Sequence, residues 1–377
     1  MIDLRKYQSL AKSYWQLNRL AAKAGVATLN HRLRGTSLAS WSLPFEGTFR
    51  MMAIGSPQEE LTDVWQIRRP INDMARLPQL IRAKRTPVVA GLAPGEWVDV
   101  ANSSQERIVL FLHGGGYVFG SPYTHRLITA TVAKSAGARV LEIDYRLAPE
   151  YPFPAALEDA WAAYWWLLEQ KVKGSQIVVM GDSAGGGLSI ALMLALRDAG
   201  LPLPAGAALL SPWLDLSLQS ESIHKNKATD YINEIGLRAA ATMYANGFDP
   251  HNPLISPMFA DLTGLPPILI QSGTAETLND DARRFAKRAH EANVSVTLEE
   301  WEEMVHVFHL WYRIEPKARQ AVEHLGQFVR QQVDHKEEQQ NHNLHVTIRR
   351  AGQEALPVMR DGCDRVPRRL ATCTLLM

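Results

Sequence analysis

The chain is expected to adopt an α/β fold, a mostly parallel central sheet with helices on both faces, and three observations predict it. Short apolar, β-branched runs recur between residues 108 and 298, and stretches of helical periodicity separate them. Two of these runs end in small-residue corners, His113-Gly114-Gly115-Gly116 and Gly181-Asp182-Ser183-Ala184-Gly185. The 377 residues are 46% hydrophobic and 21% charged, enough apolar material for a core and too little charge for wholesale disorder.

At the N-terminus, Leu4, Tyr7, Leu10, Tyr14, Leu17 and Ala21 recur at helical spacing, with Arg5, Lys6, Lys12, Arg19 and Lys23 on other faces. This predicts an amphipathic helix that caps or docks on the body; its cationic side and Trp15 also suit a membrane surface. Residues 1–90 are therefore read as a helical cap or extension. The body, 91–333, alternates regularly. Ile108–Leu112 reads as a buried strand, followed by a helix from about Thr124. Val140–Tyr145 is the next strand, and Pro154–Gln170 the next helix, with proline at its start, where a missing N–H costs little. Ile177–Met180 leads into the second corner, and Ser183–Ala199 continues as helix. Strands at Ala207–Leu210, Ile268–Gln271 and Val294–Leu298 follow, with helices at Asp280–Ala292 and Pro316–Gln332. Residues 215–261 break the rhythm and read as a helical insertion. After 333 a polar run and an Arg-rich stretch lack apolar periodicity, so 334–377 are expected to be a disordered, dispensable tail; a partner-binding segment or non-native coding sequence are the other readings.

Composition excludes several classes. A net charge of +1 gives no case for nucleic-acid binding. No apolar run approaches the roughly 18 residues that cross a bilayer, and no compact apolar leader opens the chain, so a cytoplasmic protein is expected. The two cysteines, Cys363 and Cys373, both lie in the tail, which leaves the body without thiol nucleophile, disulfide or cysteine metal site. No cofactor or metal is expected, and a homodimer is compatible with the sequence. The chemistry must come from oxygen and imidazole.

Ser183 sits in a Gly-x-Ser-x-Gly corner after an apolar run, where only small neighbours allow a strained backbone that lifts the hydroxyl above the sheet. The backbone N–H of Ala184 then faces a developing oxyanion, and the N–H groups of Gly115 and Gly116 complete the hole. A phosphate cradle is disfavoured, because Phe119 stands where a third glycine of a dinucleotide fingerprint would, and no lysine follows Gly185–Gly187. His113 reads as a structural residue of the loop. A serine needs a base, and in this kind of sheet acid and base follow it in the order Ser, Asp/Glu, His. Of His224, His251, His290, His306, His309 and His324, His306 lies on a loop past a strand end, whereas His309 reads as the first turn of a core-facing helix. Glu276 lies just after Ile268–Gln271 and is the expected acid; Asp280 suits the start of the following helix.

The segments His113–Gly116, Asp144–Glu150, Gly181–Gly185, Gly273–Glu276 and Met304–Phe308 together resemble the bacterial hormone-sensitive-lipase-like esterases of the α/β-hydrolase fold. The resemblance covers about 107–310 and implies a carboxylic ester hydrolase, usually for short acyl chains, capped by the N-terminal segment and the insertion after the strand near 210. Many members carry Asp where this chain has Glu276; the two ends of the chain are not covered. Within Asp144–Glu150, Arg146 is expected to pair with its flanking carboxylates and brace the glycine loop. Asp182 is expected to support the elbow, Trp161, Trp165 and Trp166 to be core, and Trp213 to line a substrate pocket. The substrate is thus expected to be a small-molecule ester. An amide, lactone or acetyl-group hydrolase, or a non-catalytic receptor on the same fold, is the alternative.

Overall fold

A twisted sheet organises the molecule, and its strands terminate where the chemistry is expected. The computed structural model describes residues 19, 21–35, 37–55, 64–65, 68, 71, 82–334 and 347–351. The strands are β1 (Lys84–Ala90), β2 (Ala93–Asp99), β3 (Ser104–Leu112), β4 (Ala138–Ile143), β5 (Ile177–Asp182), β6 (Gly206–Leu210), β7 (Ile268–Gly273), β8 (Val296–Trp301) and β9 (Thr347–Ala351). Their spatial order is β1-β2-β4-β3-β5-β6-β7-β8-β9. From β4 through β9 neighbouring strands pair parallel, whereas β1–β2 and β2–β4 are antiparallel. The helices are α1 (residues 21–33), α2 (Leu43–Gly55), α3 (Arg126–Ala136), α4 (Ala155–Glu169), α5 (Ala184–Asp198), α6 (Ser222–Lys225), α7 (Glu234–Ala245), α8 (Asn279–Glu291) and α9 (Pro316–Asp334).

Side chains alternate across a strand, so a sheet covered on both faces needs apolar residues at every position. Ile108, Leu110 and Leu112 of β3 pack with α4 and α5 on one face, and Val109 and Phe111 pack with α3 and α9 on the other. This two-sided burial is why the strands read as unbroken apolar runs. Between β6 and β7 lie α6, α7 and a 3₁₀ turn at Pro257–Phe259. Trp41, Phe45 and Phe49, around and within α2, pack against Trp301, Met304, Phe308 and Trp311, so the N-terminal segment rests on the loop after β8. The amphipathic helix read over Leu4–Ala21 lies almost wholly outside the described residues.

Four readings change. The sheet begins at Lys84, so the boundary placed at residue 90 falls at the turn of the β1–β2 hairpin; Pro87, Pro94 and Gly95 hide these strands from a pattern search. The tail expected to carry no structure adds β9 beside β8, which would otherwise present an unpaired edge. Trp165 is 39% exposed and stacks on Trp161 on the outer side of α4. Arg146 pairs with Asp159 at 2.8 Å and Glu158 at 2.9 Å on α4, while Arg68 takes Glu150 at 2.7 Å.

Candidate active site

The corner that carries Ser183 is built by β5 running buried into α5. Ser183 has φ +53° and ψ −121°, a conformation that costs a non-glycine residue on the order of 1–3 kcal/mol. The surroundings hold it there. Its N–H donates to the Leu210 carbonyl at 2.9 Å, and its own carbonyl accepts from Trp213 N–H at 2.9 Å and Gly186 N–H at 3.0 Å. At Gly185 a Cβ would collide with the Leu112 carbonyl, so β3 and α5 approach as closely as they do only because no side chain intervenes. The Ser183 hydroxyl that results lies 2.9 Å from His306 Nε2.

The glycine loop follows β3, the neighbour of β5. Gly115, with φ +113°, accepts at its carbonyl from Val118 and Phe119 N–H groups at 3.0 Å each. Gly114 N–H donates to Asp182 Oδ1 at 3.0 Å, so the residue next to Ser183 anchors the loop. His113 is fully buried, its ring stacked on Tyr145 at 4.1 Å, and the Tyr145 hydroxyl donates to the His113 carbonyl at 2.6 Å. Burial opposes the charge on Asp182, but His125, 3.4 Å away, outweighs it and holds the carboxyl below its usual range; the same contact pushes His125 up to about 9 against burial. Asp182 therefore remains a carboxylate that can hold Gly114. Among the described residues the N–H groups of Gly115 and Gly116 have no protein acceptor, and Ala184, first residue of α5, has none within its helix. A Cβ on Gly115 would strike the Phe119 carbonyl. Gly115→Ala keeps the N–H but its Cβ must push the loop out of place, so kcat is expected to fall on the order of 10²–10³-fold, the scale of one misplaced oxyanion donor; an unchanged steady-state kcat would remove this loop from the proposed oxyanion hole.

His306 follows β8 and is buried. Burial lowers its pKa to about 4, with Asp182 opposing, so the ring rests neutral. For Nε2 to accept from the serine, Nδ1 must carry the hydrogen, and Nδ1 is buried without a hydrogen-bond partner among the described residues. Glu276 follows β7 and is fully buried. Its Oε2 accepts from the Ser211 hydroxyl at 2.6 Å and Gly273 N–H at 3.1 Å, and its Oε1 from the Ser272 hydroxyl at 2.7 Å. Burial nonetheless pushes Glu276 up to about 8, against the Ser211 bond. The structure thus brings Ser183 and His306 into contact and forms no hydrogen bond between Glu276 and the imidazole. Ser211 links their loops instead, since its oxygen also accepts from Val307 N–H at 2.9 Å.

Other expected residues fall where packing requires. His309 is buried in a 3₁₀ turn with Nε2 2.8 Å from Gln271 Oε1, a core role. Trp213 is fully buried behind the glycine loop, near Gly116 and Tyr117, rather than on an open wall. Sequence reasoning missed Ser211 and Asp230. Ser211 had a positional signal, the end of β6; Asp230 lies in the insertion with no motif around it. Among the described residues no cluster of His, Cys, Asp or Glu is placed to hold a metal, and no helix is long and apolar enough to cross a membrane.

A serine lifted on a strand-to-helix corner, with a neutral histidine at bonding distance, defines a serine hydrolase on a parallel sheet. A family model described as the alpha/beta hydrolase fold matches residues 109–310, and the chain belongs to that family. It is similar to an acetyl-hydrolase of Streptomyces hygroscopicus, 48% identical over 244 residues covering 64% of this chain and 81% of the relative. An esterase of Acinetobacter venetianus is 33% identical over 291 residues, 76% of this chain and 96% of its own. A solved esterase of the bacterial hormone-sensitive lipase family superposes with TM-score 0.72 at 42% identity, covering 75% of this chain and 96% of that one. A hormone-sensitive lipase from a metagenome library does so at 0.72 and 36%, covering 76% and 97%. The chain is a carboxylic ester hydrolase of this esterase group.

Proposed function

We propose that the chain cleaves short- to medium-chain carboxylic esters through an acyl-enzyme on Ser183. The 2.9 Å contact between Ser183 Oγ and His306 Nε2 carries this reading. As Oγ bonds to the ester carbonyl carbon, its proton passes to His306 Nε2, and the carbonyl oxygen becomes an oxyanion received by the N–H groups of Gly115, Gly116 and Ala184. The carbon–oxygen bond to the alcohol breaks, and the departing oxygen takes the proton from Nε2. Water then attacks the acyl carbon, gives a proton to Nε2, and the acid leaves as Ser183 recovers its hydrogen. Glu276 is the carboxylate that steadies the imidazolium between these transfers.

A small acyl group is favoured by the wall behind the glycine loop. Ala240 of α7 lies so close to Gly116 that even a Cβ there would sit 3.1 Å from its methyl, with the buried Trp213 ring 3.9 Å from the same point. The Streptomyces relative is named an acetyl-hydrolase, which supports acetyl esters as the group removed. A series of p-nitrophenyl esters is expected to give its highest kcat/KM at two to four acyl carbons; a maximum at long chains would overturn the small-pocket reading. A cap made of the N-terminal segment and the 215–261 insertion, a cytoplasmic location and a homodimer complete the proposal. Contact of the N-terminal helix with a membrane surface is tested by liposome pelleting. Salt-sensitive pelleting lost on deleting residues 1–30 supports it, and no pelleting at low salt removes it.

A further inference from the structure

Glu276 and His306 stand on different loops, after β7 and after β8, and the sheet holds only the strand ends of each. The backbone around Glu276 is held by side chains of the insertion. Asn226 Nδ2 donates to the Glu276 carbonyl at 2.8 Å and the Thr274 carbonyl at 3.1 Å. The Thr229 hydroxyl donates to the Ala275 carbonyl at 2.9 Å, and the Ser222 hydroxyl to the Thr277 carbonyl at 2.6 Å. Asp230 reaches both loops at once: Oδ2 accepts from Thr277 N–H at 2.7 Å, and Oδ1 from His306 N–H at 3.2 Å.

We propose that Asp230 is a positioning residue that sets His306 relative to Glu276, making the insertion part of the catalytic geometry as well as a cover. The inference rests on the serine-hydrolase reading of the site and adds a residue to it. Three backbone N–H groups converge on it, since Oδ1 also accepts from Tyr231 N–H at 2.9 Å, and a carboxylate offers two oxygens with no donor hydrogen. Asparagine would turn an NH₂ toward one of them. Asp230 is 8% exposed, so water does not readily replace a lost acceptor. Both its oxygens are taken by backbone N–H groups, so it acts on the loops and not on the imidazole ring. Its function follows from reach: a displacement of about 1 Å between reacting groups lowers rates on the order of 10²-fold.

The test uses the full chain at pH 8 with p-nitrophenyl butyrate. Asp230→Asn is expected to lower kcat about 10- to 100-fold with KM within about threefold, and to slow fluorophosphonate labelling of Ser183 in parallel. Asp230→Glu, which keeps two acceptor oxygens, recovers part of kcat. Asp249→Asn, on the exposed surface of the insertion and bonded to His251, leaves kcat unchanged. A folded Asp230→Asn protein with kcat within twofold of the parent, or a loss confined to KM, overturns the proposal. Should Asp230→Asn fail to fold, Asn226→Ala carries the test, with kcat down roughly tenfold at unchanged KM expected and unchanged kcat overturning it. A parent protein that neither hydrolyses the ester nor labels fails the hydrolase reading itself, a separate result.

Discussion

Ser183→Ala is expected to lower kcat for p-nitrophenyl butyrate on the order of 10⁶-fold, the scale of losing the nucleophile of a cooperating serine–histidine pair. The substitution removes one oxygen. Alanine keeps the backbone bonds to Leu210, Trp213 and Gly186 that hold the corner, and these do not involve the hydroxyl. The side chain's hydrogen bond is to His306 Nε2, so the melting temperature is expected to stay within a few degrees of the parent, the scale of roughly 1 kcal/mol in a protein of this size. Fluorophosphonate labelling must vanish with activity. A folded Ser183→Ala protein that still turns over the ester would show that another group attacks, and the mechanism would fall.

Glu276→Gln is expected to lower kcat on the order of 10⁴-fold, because it removes the charge that the imidazolium needs. Burial keeps His306 neutral, at a pKa of about 4, and burial also keeps Glu276 protonated until about pH 8. Each ion is costly alone in this site, and the pair of ions offsets that cost once the serine proton has moved to Nε2. The sign follows. Glu276 is raised, so its carboxylate fraction grows as pH rises through about 8, while His306, lowered, is already neutral there. Parent kcat/KM is therefore expected to climb between pH 7 and 9, and the Gln variant to lose that climb; Glu276→Asp, which keeps the charge, retains more activity than Gln. A Gln variant with more than a tenth of the parent kcat would take Glu276 out of the reaction.

The corners at residues 113–116 and 181–185 were legible because each follows a buried strand, β3 or β5, and turns within a short, chemically constrained stretch. Ser183 needs small neighbours and Gly115 needs positive φ, and such demands leave marks in adjacent residues. The hairpin was illegible because Pro87 and Pro94 sit in an edge pair, where a missing N–H is tolerated, and they mask the alternation. Arg146 was assigned to its sequence neighbours, yet its partners arrive on α4, Asp159 and Glu158. Proximity along the chain misled there because a guanidinium reaches whatever carboxylate the packing presents.

Local rules of backbone geometry let the sequence alone determine the layered α/β architecture and the corner that carries Ser183 between β5 and α5. Those rules act over a few residues, and the alternation of buried strands and helices repeats them. Only the tertiary structure decided how the loops after β7 and β8 meet. Asp230 accepts from Thr277 and from His306, 76 residues further along the chain, and Ser211 joins Glu276 to Val307 across three strand ends. Hydrogen bonds between such distant groups depend on where the sheet places its ends, and no local pattern encodes that.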